Sequence, residues 1–206
     1  GTQGVQLRAT VSSFGPLLLG RVLDLNATQQ SALAMVFKFC DDQGLLLLDL
    51  PDLKETLQYL IEHGAEHLKE YGGLSKQTVG VLVRKLVELE QQGADAFFGE
   101  PEYDIDDLIH VEPDGRGRVS ILELSDLQDR PALFSTFMMW LLASLYRELP
   151  EAGDLPKPKL VFFFDEAHNL FEGGSKAFGE QIEQVVRLIR SKGVGVYFVT
   201  QTPKDI

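Results

Sequence analysis

The sequence predicts an α/β protein with a mostly parallel sheet flanked by helices. Three observations carry this. Residues 160–164 (Leu-Val-Phe-Phe-Phe) are a short, uninterrupted apolar run, the pattern of a strand buried on both faces. Phe178, Ile182, Val185, Val186 and Ile189 then repeat at helical spacing on one face. A second apolar run, 194–200, follows Gly193 and ends at Gln201. Strand, helix and strand make one βαβ crossover, which brings Asp165, Glu166 and Gln201 to the same sheet edge. That carboxyl edge is where open α/β sheets bind ligands.

Taken in order, residues 5–11 alternate like an edge strand, and Gly15-Pro16 marks a turn. Asn26 and Gln29 form a capping pair for a helix with Leu33, Val36, Phe37 and Cys40 on its apolar stripe. Cys40 is the single cysteine, which excludes an intramolecular disulfide, fits a reducing cytoplasmic setting and reads as a buried structural thiol. Asp41-Asp42-Gln43-Gly44 ends this helix as a solvated turn. A short apolar segment, 45–48, precedes a helix expected to start at Asp52 and Glu55, with Leu53, Leu57, Leu60 and Ile61 inward. His63 and His67 share a helical spacing, but no further ligand completes a zinc motif, so they read as a solvated helix end.

Gly72-Gly73 breaks the chain, and Ser75 caps a helix whose face is Val79, Leu82, Val83 and Leu86. This stretch superficially resembles the second helix of a helix-turn-helix. Its cations Lys76, Arg84 and Lys85 are nearly balanced by Glu88 and Glu90, which favours a packing helix over a DNA reader. Residues 95–114 hold eight acids and no Lys or Arg, a solvated connector. Asp114-Gly115 turns into an expected strand at 119–124. Pro131 opens an apolar helix over 132–148. Its uncharged core of fourteen residues, 133–146, is too short to span a bilayer and suits a buried helix. The expected divisions are an opening segment (1–19), a helical lobe with its acidic connector (20–114) and an α/β core (115–206). The chain is 44% hydrophobic with a net charge of −12, which argues against a basic nucleic-acid-coating protein while leaving a few local cations free to act.

The chemistry suggested by the carboxylate edge is nucleotide hydrolysis. An acid after a buried strand can hold Mg²⁺ on phosphates, its neighbour can polarise the attacking water, and a polar residue on the next strand can sense the γ-phosphate. The bland alternative is that Asp165 and Glu166 only cap a turn. The pairing with the Gln201 strand favours the functional reading.

The run 160–171 (Leu-Val-Phe-Phe-Phe-Asp-Glu-Ala-His-Asn-Leu-Phe) and the run 185–203 (Val-Val-Arg-Leu-Ile-Arg-Ser-Lys-Gly-Val-Gly-Val-Tyr-Phe-Val-Thr-Gln-Thr-Pro) resemble the HerA-like P-loop ATPases, in particular their YjgR-type bacterial branch. The resemblance extends through 8–19 and 45–50, and so over essentially the whole chain. It implies a partial RecA-like core with a helical insertion lobe, taken from an ATPase that forms a homo-hexameric ring on DNA. It implies ATP and Mg²⁺ as cofactors, with Asp165 on Mg²⁺, Glu166 on water and Gln201 on phosphate. His168 and Asn169 follow the acids and could link them to a neighbouring element. Arg187 and Arg190 match a family pattern in which an arginine reaches a neighbouring subunit's γ-phosphate. The alternative is a pair of helix-end cations that complement the dipole.

The chain contains no G-x-x-x-x-G-K-[ST] loop. Gly15 and Gly20 have the glycine spacing, but Arg21-Val22 follows, and the match reads as coincidence. The resemblance therefore implies a piece that begins after the phosphate-binding loop and is inactive alone. Two rivals remain. Asp-Glu-Ala-His also occurs in a class of superfamily-two helicases, but Thr200-Gln201-Thr202 stands where those carry Ser-Ala-Thr. The other rival is an interaction or regulatory module on the same scaffold, without turnover.

Overall fold

The structure is a computed structural model that describes residues 4–64, 73–123, 131–153, 155–165, 167 and 176–201. The chain divides into two compact units, Gly1–Tyr103 and Asp104–Ile206. Six α-helices and one two-stranded parallel sheet are formed among the described residues, an α/β composition.

The first unit is helical: α1 (Val11–Val22), α2 (Ala27–Gln43), α3 (Leu50–Glu62) and α4 (Lys76–Gln91). The strand expected over 5–11 does not form. Only Ala9 makes a bridge, to Phe98, and the chain enters α1 at Val11. The cause is local. The Thr10 hydroxyl accepts the Ser13 N–H at 3.1 Å, an N-cap that competes with extended backbone. Gly15-Pro16 is a kink inside α1, not a turn between elements. Gly15 takes φ 78°, open to glycine at little cost, and Pro16 restarts the helix at a first-turn position. Residues 16–20 that follow the kink are helical, and Gly20 lies within that helix and not in a loop. A Cβ at Gly20 would meet the end of the Gln30 side chain, whose amide donates to the Pro16 carbonyl at 2.8 Å, so a larger residue there would displace that bond.

The capping box of α2 forms as expected, with Asn26 Oδ1 accepting the Gln29 N–H at 3.0 Å and Gln29 Oε1 accepting the Asn26 N–H at 3.2 Å. Gly44 closes α2 in the left-handed conformation, and Asp42 pairs with Lys38 one turn back. The start of α3 differs from the expectation. Asp49 is the cap, Pro51 sits in the first turn, and Asp52 is the reciprocal partner in a second capping box. Most of the expected stripes are buried: Leu33, Val36, Phe37 and Cys40 on α2, Leu53, Leu57 and Leu60 on α3, and Val79, Leu82 and Leu86 on α4; Ile61 and Val83, expected inward, are only half-buried, and Leu89 joins the buried face of α4. Helix α1 packs on α2, and both α2 and α3 pack on α4. Burial pushes the Cys40 thiol up from its ordinary range, a hydrogen bond with Thr56 opposes the shift, and the charge of Asp41 adds to it.

In the second unit a short hairpin, bridged by Val111 and Gly117, carries the ion pairs Asp114–Arg116 and Glu112–Arg118. The strand expected at 119–124 is not formed over 119–123, where Val119 and Ile121 are exposed; Leu124 lies outside the described residues. Charged and glycine residues precede this run, and no partner strand is hydrogen-bonded to it among the described residues. Helix α5 (Pro131–Glu148) begins at Pro131 as expected, and Phe137, Met138, Trp140, Leu141, Leu142 and Leu145 are buried. No described helix is long and apolar enough to cross a membrane.

Strand β1 (Leu160–Phe164) leads through α6 (Lys176–Ile189) to β2 (Val194–Phe198), and α6 packs on α5. Gly193 ends the crossover at φ 77°, where a Cβ would also lie 3.2 Å from that of Ala152. Ser175, which the sequence offers as the cap of α6, lies outside the described residues. Strand β1 is not buried on both faces. Phe162 is buried, while Phe163 is 69% exposed and stacks on Tyr197, itself 56% exposed. The sheet thus covers one face, as strict alternation along a strand allows.

Candidate functional site

The site is built from the carboxyl ends of two neighbouring strands. β1 and β2 run parallel in the register Leu160↔Val194 to Phe164↔Phe198. The pairing continues past the strand ends: the Val199 N–H donates to the Phe164 carbonyl at 2.8 Å, and the Ala167 N–H donates to the Val199 carbonyl at 2.9 Å. Asp165 directly follows β1, and Gln201 lies three residues beyond β2; both are exposed. The structure therefore brings Asp165 and Gln201 to one end of adjacent strands. Glu166, His168 and Asn169 lie outside the described residues.

The opposite end of the sheet is held by a clamp that the sequence did not reveal. The Lys192 ammonium bonds Glu151 at 2.9 Å and lies 5.1 Å from the centre of the Tyr146 ring, with its side chain only 12% exposed. Beside it, the Ala152 N–H donates to the Ser191 carbonyl at 2.9 Å. The Lys192 contact, followed by that of Ser191, holds the Glu151 carboxyl below its usual range. This fixes where β2 begins relative to the loop that feeds β1. Cation–aromatic contacts depend on folding geometry, and no spacing rule marks them in the chain.

Arg187 lies in the last turn of α6 and Arg190 opens the following 3-10 turn; both are exposed. Arg187 faces Glu183 one turn back at 3.7 Å, an exposed pair of little energetic weight. Both arginines precede β2, whereas Asp165 and Gln201 follow the strand ends. The four residue steps from Val194 to Phe198 alone span roughly 13 Å. The arginines are thus not brought together with Asp165 within this chain.

Other candidates resolve as structural parts. In α4, Lys85 donates to the carbonyls of Leu23 and Asp24 at 2.6 and 3.2 Å, and so caps the end of α1. Glu90 pairs with Lys54 of α3 at 2.7 Å. The stretch that resembles a DNA-reading helix spends its central lysine and one acid on packing. His63 stacks on Tyr59 at the end of α3, while His67 lies outside the described residues. Among the described residues, no group of three or more His, Cys, Asp or Glu could hold a metal ion.

Asp165 fits a more limited role toward a metal. Mg²⁺ keeps most of its water and takes one or two carboxylates plus phosphate oxygens, so a single solvent-facing carboxylate at a strand end suits it. Compared with known proteins, the chain matches one family model, described as Helicase HerA-like C-terminal, over residues 1–206. Neither the curated proteins nor the solved structures compared with it gave a match.

Proposed function

The chain belongs to the helicase HerA-like C-terminal family, and from that membership we propose that it supplies the hydrolytic edge of an ATPase core. In this reading the intact protein binds ATP through a phosphate loop outside this chain, and the sheet of β1 and β2 is part of a RecA-like core. The observation that carries the proposal is the parallel register of β1 and β2, with Asp165 and Gln201 at the same strand ends.

The residues divide the work as follows. Asp165 holds Mg²⁺ directly or through water. When bound, Mg²⁺ neutralises charge on the phosphates. Glu166 orients the attacking water and accepts its proton. Gln201 donates to the γ-phosphate from the neighbouring strand. Arg187 or Arg190 acts on the site of a second subunit. The roughly 13 Å of strand between the arginine edge and the carboxylate edge of one chain supports action in trans. Such an arrangement requires a neighbouring subunit, and a homo-hexamer on DNA is the assembly this family membership favours. Within the family, the YjgR-type branch is favoured by the sequence resemblance.

The test is Glu166→Gln in the intact protein. Removing the base while keeping shape and hydrogen bonding should cut ATP turnover at least about 10²-fold, with ATP binding largely retained. Turnover at the wild-type rate would exclude Glu166 as the catalytic base.

A further inference from the structure

The turn between α6 and β2 is tied to three other segments of the second unit. Residues 190–192 form a single 3-10 turn, and Gly193 closes it in the left-handed conformation, with its N–H on the Arg190 carbonyl at 3.0 Å. The Ala152 N–H donates to the Ser191 carbonyl at 2.9 Å, and the Lys159 N–H donates to the Gly193 carbonyl at 2.8 Å. The third tie is the Lys192 side chain, which reaches Glu151 at 2.9 Å and the ring face of Tyr146 on α5. Inside the turn, the Ser191 hydroxyl donates to the Leu188 carbonyl at 2.9 Å.

Lys192 is the unusual member of this set. Lysine ordinarily lays its stem on apolar surface and keeps its ammonium in water. A charge withdrawn from water needs a partner. Here the side chain is 12% exposed and is answered by a carboxylate and an aromatic ring. Arg190 opens the same turn two residues earlier and is exposed. Arg187 lies one helical turn further back and faces Glu183. An arginine side chain is long and rich in rotamers. It delivers its guanidinium to a fixed point outside its own chain only from a fixed base, because any rotation of the turn is carried to the tip.

We infer that Lys192 is a positioning residue: its bridge to Glu151 and Tyr146 fixes the 3-10 turn from which Arg190 reaches the phosphates held by a neighbouring subunit. The inference rests on the proposed action of this edge in trans. It adds which arginine is presented and what holds it. Residues of α5 and of the loop before β1 in one subunit thereby set the rate of hydrolysis in the next.

The experiment uses the intact protein as wild type, Lys192→Met, Lys192→Arg, Glu151→Gln and Arg190→Ala, with Lys192→Met and Glu151→Gln also made in the Arg190→Ala background. ATP turnover, Mg-ATP affinity and thermal midpoint are measured for each. Loss of an arginine acting in trans costs about 10³-fold or more in kcat, which sets the expectation for Arg190→Ala. Misplacing a reacting group costs up to about 10²-fold, so Lys192→Met, which keeps most of the stem and removes the ammonium, should lower kcat at least about tenfold. Mg-ATP affinity should stay within about threefold, the split expected when only transition-state contacts are lost. Lys192→Arg keeps the charge and stacks on aromatic rings, so it should recover most of the rate. Glu151→Gln should lower kcat in the same direction, and it keeps the test valid if Lys192→Met unfolds. The deciding readout is the double variant. Without Arg190, the change at Lys192 or Glu151 should alter kcat by less than about twofold, because two residues acting through one group are not additive. A lysine that only stabilises the fold would lower the rate by the same factor in both backgrounds. If wild type turns over and both clamp variants match it in kcat, or their effect persists undiminished beside Arg190→Ala, the positioning role is overturned and the ATPase reading stands. The same holds if Arg190→Ala keeps the wild-type rate. If wild type shows no turnover, the ATPase reading fails and the positioning role fails with it.

Discussion

Cys40 shows how one side chain reports on the first unit. It is buried on α2, and desolvation raises its pKa above the ordinary value of 9.0. The unfolded chain therefore ionises first as pH rises. The thiol contributes stability that is fully present below about pH 9 and lost as pH climbs through its raised folded value. Two outcomes follow. Alkylation by iodoacetamide at pH 8 should be at least about tenfold slower in the native chain than in urea, because the thiolate is the nucleophile and burial withholds it. The alkaline loss of stability should also flatten in Cys40→Ala. Equal alkylation rates in the two states would place Cys40 on an accessible surface. The structural role of this thiol was legible in the sequence, because its place on the α2 stripe was periodic. Lys85 was not legible: in the sequence it stood only as one of three cations nearly balanced by nearby acids, and only the tertiary fold brings it to the carbonyls of Leu23 and Asp24.

At the scale of elements, caps decide where helices begin. Asn26 and Gln29 satisfy two otherwise orphaned N–H groups of α2. Asn26→Ala should cost the first unit about 1 kcal/mol, read as a shift in the urea midpoint with an unchanged slope. No shift would mean that water replaces the cap without loss. The sequence displayed this cap, the Ser75 cap and the start of α5, because each uses side-chain chemistry at a fixed offset. It misled at residues 5–11, where alternation suggested a strand and the Thr10 cap started α1. It also misled at Asp49, whose cap precedes Pro51 and lies three residues before the expected start. β1 was legible as an element but not in its burial. A run of five apolar residues hides the alternation that leaves Phe163 exposed and Phe162 covered.

At the scale of the whole molecule, the composition and the candidate site point in compatible directions. A net charge of −12 leaves few cations for holding DNA, so coupling to DNA would depend on local groups in an assembly. The sequence contains no Gly-Lys-Ser/Thr loop of the kind whose backbone N–H groups cradle phosphates. On the proposed function, this chain carries the hydrolytic edge of an ATPase and needs the rest of that enzyme to turn over. The most direct test is steady-state ATP hydrolysis by the intact protein, with and without DNA, beside this chain alone. The expected result is turnover by the intact protein, stimulated by DNA, and none by the chain alone. No turnover by the intact protein, or equal turnover by the isolated chain, would contradict it.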